Sequence, residues 1–245
     1  MADFEQLFES VREVNGWMTK DQARRLWDRA GELKPGQRVV EIGSFQGRST
    51  VVLASAAPSG VELIAIDPHG GNDRGPQEIE GFVDEAEGDH QLFLNNLANA
   101  GVRERVTHLR KFSDKALSDV PGAIDLLYVD GAHRFAPASS DIRLWGAKVS
   151  DGGHLLVHDS FSSIGVTLAL SVTTFWSKDW IYEGRSQSMT QFVKRPHTTS
   201  EQLSSLLKQI AQLPYFALNV FYKVLLTAKL KGVARALGST GEWPY

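Results

Sequence analysis

Residues 39–49 read Val-Val-Glu-Ile-Gly-Ser-Phe-Gln-Gly-Arg-Ser. The apolar residues 38–42 predict a short strand that ends in this glycine loop, and the small and β-branched residues 49–57 predict a helix. A second apolar strand over 61–66 ends in Asp67. The order strand, glycine loop, helix, strand is that of a βαβ unit, which indicates a parallel sheet with a right-handed crossover.

The glycine loop predicts a binding site for a nucleoside. Glycine lets a ligand approach the backbone, and the start of the next helix offers free N–H groups to a negative group. Asp67, about 20 residues past the loop, can accept both hydroxyls of a ribose. The spacing Gly43-x-x-x-Gly47 differs from that of dinucleotide dehydrogenases, because Phe45 stands where their second glycine meets the pyrophosphate. The acidic side chain of Glu41, just before the loop, suits a ligand that carries an amino group and a sulfonium. The alternative interpretation of the whole motif is a plain βαβ turn that binds no ligand.

The rest of the chain continues this alternation. Further strands are predicted over residues 105–109, 124–129, 154–158, 180–183 and 189–194. Helices are predicted over residues 3–14, 19–33, 91–100, 138–148, 166–176, 200–213 and 215–237. Residues 70–90 are rich in Gly, Asp and Glu, and we expect a loop with at most one weak helix. We expect this loop to close over the substrate, with a solvated surface loop as the alternative.

The totals bound the class of protein. The 245 residues fit one α/β domain with additions, and 42% apolar and 22% charged residues are ordinary for a soluble globular protein. A net charge of −3 gives no reason to expect a nucleic-acid partner. The absence of cysteine excludes disulfides, thiolate catalysis and cysteine metal sites. Neither a signal peptide nor a long apolar run is recognisable, so we expect a cytoplasmic enzyme.

Four segments of the sequence carry a resemblance to a known family: Glu41–Ser49, Ile66–Asp67, Val129–His133 and Gly152–Asp159. They resemble the class I methyltransferases of the methyltransferase-24 type, which depend on S-adenosylmethionine (SAM). These enzymes are similar to metal-dependent O-methyltransferases that act on sugars in macrolide antibiotics. The resemblance implies an α/β, Rossmann-like fold with a seven-stranded, mostly parallel sheet of order 3-2-1-4-5-7-6 and helices on both faces.

The resemblance also divides the chain and names a cofactor. It covers residues 35–195, which are the expected SAM-binding catalytic domain, with an N-terminal helical segment at 1–34 and a C-terminal helical extension at 196–245. SAM is the implied cofactor. Ser113 is placed beside the adenine only by its position after the third strand. The residues expected to bind SAM are Glu41, Gly43, Ser44, Gly47, Ser49, Asp67 and Ser113.

Methyl transfer to a sugar hydroxyl needs a base and a cation, because such a hydroxyl is a very weak acid. We expect Asp130 and Asp159 to bind Mg²⁺ or Mn²⁺, with His158 as a third ligand. Magnesium prefers oxygen, so a histidine ligand favours manganese; alternatively His158 faces away and water takes its place. His133 is the expected general base, acting beside Asp130. The structural alternatives are a helix-capping Asp130 and a histidine that only hydrogen-bonds.

The favoured function is therefore methylation of a hydroxyl on a sugar or polysaccharide, such as a mannoside. A small phenolic or other hydroxylated metabolite is the alternative acceptor. A dinucleotide-dependent oxidoreductase and a non-catalytic binding module are the alternatives of other classes. We expect a homodimer or larger homo-oligomer. The apolar and basic helix over 215–237 favours a dimer contact or a core position over peripheral binding to a membrane.

Overall fold

A seven-stranded sheet organises the molecule. The computed structural model describes residues 3–69 and 83–239. Strands β1 to β5 are parallel, whereas β7 is antiparallel to both β5 and β6. Their order, β3-β2-β1-β4-β5-β7-β6, confirms the predicted one. The strands are β1 Arg38–Ile42, β2 Glu62–Ile66, β3 Val106–Leu109, β4 Ile124–Val129, β5 Val149–Val157, β6 Trp180–Ser186 and β7 Met189–Lys194.

Helices cover both faces of the sheet, as expected for this fold class. A 3₁₀ turn at Arg103–Arg105 precedes β3. The helices are α1 Phe4–Val11, α2 Lys20–Gly31, α3 Arg48–Ala56, α4 Val83–Asn99, α5 Ser113–Ala116, α6 Phe135–Ala147, α7 Ile164–Thr173, α8 Thr199–Ile210, α9 Leu213–Thr227 and α10 Lys231–Ala236. No described helix is long and apolar enough to cross a membrane.

Alternate residues of the central strands point into two separate cores. Val39 joins a core with side chains of α1 to α4, including Phe4 and Leu53. The next residue, Val40, joins the opposite core with side chains of α6 and α7, such as Trp145. This alternation follows from the pleat of the strand, and it buries both faces of a parallel sheet. The helices of the N-terminal segment therefore share a core with the sheet.

Helix α4 includes the second part of the segment predicted to be a loop with at most one weak helix. It begins at Val83 and continues to Asn99, so residues 83–90 belong to the same helix as the predicted 91–100. Gln91 Nε2 donates to Glu87 Oε1 at 3.0 Å, an i,i+4 pair of the kind that supports a helix even in polar sequence. Residues 70–82, where the closing loop was predicted, lie outside the described residues.

Two further predictions of element boundaries are wrong. The helix predicted over 215–237 is two helices, α9 and α10, because Lys229 takes a left-handed φ of +59° that ends α9. Strand β5 begins at Val149 and not at His154. Residues 151–153 lie within the strand at an irregularity of its pairing with β4, where Gly152 has a φ of +83°.

Candidate active site

The first glycine of the loop is required by the neighbouring strand. Gly43 has a φ of +87°, and a Cβ there would lie 2.3 Å from the backbone oxygen of Asp130. Gly43 N donates to Ile66 O at 2.8 Å, and Asp130 N donates to Ile42 O at 2.8 Å. The ends of β1, β2 and β4 are thus tied together at the carboxyl edge of the sheet. We expected Gly43 to admit a ligand, but the close neighbour in the structure is the protein's own backbone.

The second glycine has a similar role in packing. Gly47 is the N-cap of α3 with a φ of +87°. A Cβ there would lie 2.7 Å from Leu97 Cδ1 and 3.1 Å from Phe93 Cδ2, both on α4. The spacing of the two glycines is therefore explained by packing. Evidence for a cofactor has to come from the other residues of this edge.

Glu41 and Ser49 bind each other. The carboxylate of Glu41 is 1% exposed. The hydroxyl of Ser49 donates to Glu41 Oε1, and the hydroxyl of Thr50 donates to Oε2 at 2.5 Å. Burial raises the pKa of Glu41 to about 7, although both hydroxyls act in the opposite direction. The predicted contacts of Glu41 and Ser49 with SAM stay predictions, since here each satisfies the other.

Asp67 is held at the rim of the loop in a position suited to a ribose. Its Oδ2 accepts from Phe45 N and its Oδ1 accepts from His69 N, both at 2.8 Å. The two N–H groups fix the carboxylate, and each oxygen keeps a further lone pair for a hydroxyl. Within the described residues, the buried hydroxyl oxygen of Ser44 has no hydrogen-bond partner, so it is available to a ligand. The indole of Trp17 lies 5.5 Å from the Phe45 ring and covers the loop.

Asp130, His133 and Asp159 converge at the ends of β4 and β5. One candidate ligand atom from each lies within 4.8 Å of the other two. His133 Nε2 is 2.6 Å from Asp159 Oδ2. Two carboxylates and an imidazole are a donor set that fits Mn²⁺ and, through the oxygens, Mg²⁺. The structure thus brings together three of the residues predicted for metal binding and catalysis.

His158 bridges the two carboxylates. Its Nδ1 lies 3.3 Å from Asp130 Oδ1 and 3.2 Å from Asp159 Oδ2, and the side chain is buried. Burial would raise the pKa of Asp159, but His158 and His133 outweigh it and hold this pKa well below its ordinary value. Tyr128 donates its hydroxyl to Asp130 Oδ2 at 3.0 Å, a contact that sequence reasoning missed. The structure supports a positioning role for His158, whereas its role as a metal ligand stays a prediction.

Ser113 has a partner that the sequence did not reveal. Its hydroxyl donates to Asp141 Oδ1 at 2.5 Å, and burial raises the pKa of Asp141 to about 6. The neighbouring Phe112 is 65% exposed. An exposed aromatic ring beside the cofactor edge is the surface that an adenine can stack on. The adenine contact predicted for Ser113 stays a prediction. The exposed ring of Phe112 is the better candidate for a contact with the adenine.

A cavity of about 650 Å³ lies beside the predicted metal-binding and catalytic residues. His133 and Asp159 line one end of it. Ile164 of α7 and Val220 and Val224 of α9 form apolar walls. Sequence reasoning missed this role of α9, because no periodicity in the sequence shows which distant helix returns to the site.

Comparison with known proteins now places the central segment. Residues 40–160, just under half of the chain, match the family Methyltransf_24, which is described as a methyltransferase domain. The chain is 30% identical over 133 residues to an uncharacterized protein of Sinorhizobium fredii, covering 52% of the chain and 13% of that protein. It is 27% identical over 126 residues to an uncharacterized protein of Acanthamoeba polyphaga mimivirus, covering 49% and 50%. The chain thus spans half or less of these relatives.

Solved structures show the same fold. The O-methyltransferase TomG from Streptomyces achromogenes, in complex with SAM, is 18% identical with a TM-score of 0.53, covering 80% of this chain and 91% of that one. The O-methyltransferase NovP is 16% identical with a TM-score of 0.58, covering 78% and 88%. The described part of the chain therefore has the class I, Rossmann-like fold of these O-methyltransferases.

Proposed function

We propose that the chain is a SAM-dependent O-methyltransferase whose acceptor is a sugar hydroxyl. The convergence of Asp130, His133 and Asp159 within 4.8 Å of one another, beside a cavity that His133 and Asp159 line, carries this proposal. Ligands of open α/β sheets bind at the carboxyl ends of the strands, which is where this group lies. The structural neighbour TomG is an O-methyltransferase involved in tomaymycin synthesis, which supports transfer to oxygen.

SAM supplies a methyl group on a sulfonium, and the residues of this chain bind and orient it. The carboxylate of Asp67, fixed by two backbone N–H groups, accepts the ribose hydroxyls. The buried hydroxyl of Ser44 and the free N–H groups at the start of α3 are the donors for the polar end of the cofactor. The exposed ring of Phe112 packs on the adenine.

The acceptor hydroxyl loses its proton to His133. The imidazole Nε2 lies 2.6 Å from Asp159 Oδ2, so the carboxylate stabilises the imidazolium that forms. Asp130 and Asp159 are the residues that would hold a divalent cation, which lowers the pKa of a hydroxyl bound to it. His158 keeps the two carboxylates in place from their buried side.

A hydroxylated metabolite with an apolar body is the second candidate acceptor. The walls that Ile164, Val220 and Val224 give the cavity favour it, because a free sugar offers little apolar surface to bury against them. A sugar attached to an apolar molecule would satisfy both ends of the cavity. A small phenol would occupy the apolar walls and still present a hydroxyl to His133.

Calorimetric titration with SAM and S-adenosylhomocysteine tests the cofactor assignment. We expect both to bind the wild type, and Asp67→Ala to weaken binding by about 100-fold, since two charge-assisted hydrogen bonds are lost. Asp119→Ala is the matched control, because this carboxylate pairs with Lys111 on the surface. If neither SAM nor S-adenosylhomocysteine binds to the wild type, the proposed methyltransferase activity is wrong.

Methyl transfer to methyl mannoside and to catechol then separates the acceptors. Each is assayed with Mg²⁺, with Mn²⁺ and with chelator. Turnover of the mannoside that needs a divalent cation supports the proposal. Turnover of catechol alone moves the acceptor to the phenolic class, and full activity in chelator refutes the role given to the cation.

A further inference from the structure

A second cluster of metal-binding side chains lies behind the ribose edge of the domain. His69 follows β2, His90 belongs to α4 and His108 belongs to β3. One ring nitrogen from each lies within 4.8 Å of the other two. The ring centroids are 5.0 Å apart for His69 with each partner and 5.3 Å apart for His90 with His108. Three separate segments of the chain therefore bring imidazole side chains close together.

His69 is held with a ring nitrogen ready to bind. Its Nε2 lies 2.8 Å from the backbone oxygen of Phe45, and a carbonyl oxygen only accepts, so Nε2 carries the hydrogen. The lone pair of the neutral ring is then on Nδ1. His69 is 5% exposed, and among the described residues Nδ1 has no hydrogen-bond partner. A histidine that binds a metal usually has this arrangement, with its other nitrogen donating to a carbonyl or carboxylate.

His108 and His90 complete the set. His108 Nε2 is also buried without a hydrogen-bond partner in the described part of the chain. Burial, together with the other two imidazoles, lowers the pKa of His108 to about 4, so the ring is neutral at pH 7. His90 Nδ1 is 3.1 Å from Arg110 Nη1 and 3.6 Å from Glu87 Oε1. Arginine only donates and carboxylate only accepts. Nδ1 of His90 can therefore accept from Arg110 in one tautomer and face Glu87 with its N–H in the other.

Aromatic packing alone explains the cluster less well. Phe93 does lie against it, with its ring centroid 4.6 Å from that of His108 and 5.4 Å from that of His69. Buried polar atoms in proteins nearly always have a partner, because leaving one unsatisfied costs about 1–3 kcal/mol. Two such nitrogens belong to this cluster, His69 Nδ1, which has Asp67 Oδ1 3.9 Å away, and His108 Nε2, and they indicate a ligand that accepts lone pairs.

We propose that His69, His90 and His108 bind a transition-metal ion of the zinc class, at a site separate from Asp130 and Asp159. Three imidazoles suit Zn²⁺, Co²⁺ or Ni²⁺ and are poor ligands for Mg²⁺. Tetrahedral zinc with bonds of about 2.0–2.1 Å holds its nitrogens roughly 3.3 Å apart. The rings therefore need to approach by about 1.5 Å at most, which side-chain rotation and a small movement of α4 provide. The ion would join α4 to β2 and β3 beside the cofactor loop.

Zinc titration of the metal-free, tag-free full chain tests this site. The Asp159→Asn variant reports whether zinc also binds at Asp130, His133 and Asp159, because two carboxylates and an imidazole can bind Zn²⁺ as well. We expect one zinc per chain in the wild type and affinity reduced by more than about 100-fold in His90→Gln. His90 is changed in preference to His69 because its side chain is 15% exposed, whereas that of His69 is 1% exposed.

Two variants serve as controls. His197→Gln removes a histidine whose nitrogens face the backbone oxygens of Arg195 and Ser177, and Asp159→Asn alters the catalytic group. Both are expected to bind zinc as the wild type does. Loss of zinc binding in Asp159→Asn but not in His90→Gln would place the ion at the catalytic group and overturn the proposal.

The visible spectrum of the Co²⁺-loaded chain gives a readout independent of the variants. A site rich in nitrogen and of low coordination number gives intense d–d bands, whereas an octahedral oxygen site gives weak ones. We expect the intense bands in the wild type and their loss in His90→Gln. Failure of the wild type to bind either Zn²⁺ or Co²⁺ would show that the cluster is aromatic packing and refute the site.

Discussion

Replacement of Gly43 by alanine tests the close approach of the glycine loop, residues 43–47 (the proposed cofactor loop), to the end of β4, where Asp130 lies. The new Cβ would lie 2.3 Å from the backbone oxygen of Asp130, 2.6 Å from its carbonyl carbon and 2.8 Å from Gly131 Cα. All three atoms belong to the backbone, so no side-chain rotation relieves the clash. The end of β4 has to retreat by about 1 Å to restore an ordinary contact.

The magnitude has two parts. An alanine in the left-handed region costs roughly 1–2 kcal/mol at any site. Overpacking against a rigid neighbour adds about 1–3 kcal/mol. Gly36→Ala is a matched control, because Gly36 has the same φ of +87° but no atom of residues 3–69 or 83–239 outside its own chain neighbours lies within 4 Å of its Cβ position. The difference between the two variants therefore isolates the clash.

Thermal unfolding and methyl transfer are the measurements. For a chain of this size the clash should lower Tm by about 2–12 °C relative to Gly36→Ala. A displacement of about 1 Å at Asp130 should also reduce kcat by roughly 100-fold. Gly36→Ala should keep the kcat of the wild type. Equal Tm and equal kcat in the two variants would refute the close approach and the connection between the loop and Asp130.

Three further changes probe the buried acid, the base and the cavity. The pKa of Glu41 is raised from 4.5 to about 7, so its contribution to stability is complete below pH 4.5 and is lost as pH rises through 7. Urea unfolding at pH 5 and pH 8 should show a loss of about 3 kcal/mol that Glu41→Gln abolishes; an unchanged pH dependence would contradict the burial argument. His133→Asn should lower kcat by about 10²–10⁴-fold with SAM affinity unaltered, and an unaltered kcat would point to another base. Val224→Trp should raise the KM for the acceptor and leave SAM binding unchanged. An unchanged KM would show that the acceptor does not bind in this cavity.

The sheet was predictable because its signals are local. The mainly apolar strands at 38–42 and 124–129, and their alternation with helices, depend only on neighbouring residues, so the parallel α/β class followed from them. The order of the strands was implied by the family resemblance. Predictions of element boundaries failed where contacts between residues distant in the sequence determine the backbone conformation. The irregularity of β5 and the left-handed Lys229 between α9 and α10 are set by pairing and packing that no window of sequence contains.

The candidate site was predictable to the level of its strand ends. Asp130, His133 and Asp159 follow two adjacent strands, so their convergence follows from the sheet order. The partners of those residues were not predictable. Tyr128 lies only two residues before Asp130, yet its hydroxyl contact depends on the rotamer of a buried side chain. Asp141, the partner of Ser113, comes from a helix 28 residues along the chain.

The cofactor loop is fixed from both sides, which connects the two groups of functional residues. On one side, Gly43 lies against the backbone of Asp130. On the other, His69 N donates to Asp67 and His69 Nε2 donates to Phe45 O. A metal on His69 would therefore restrain the same loop that Asp130 restrains from the catalytic strand. A loop held at two points loses little further entropy when a ligand binds, so both restraints favour a preorganised cofactor site.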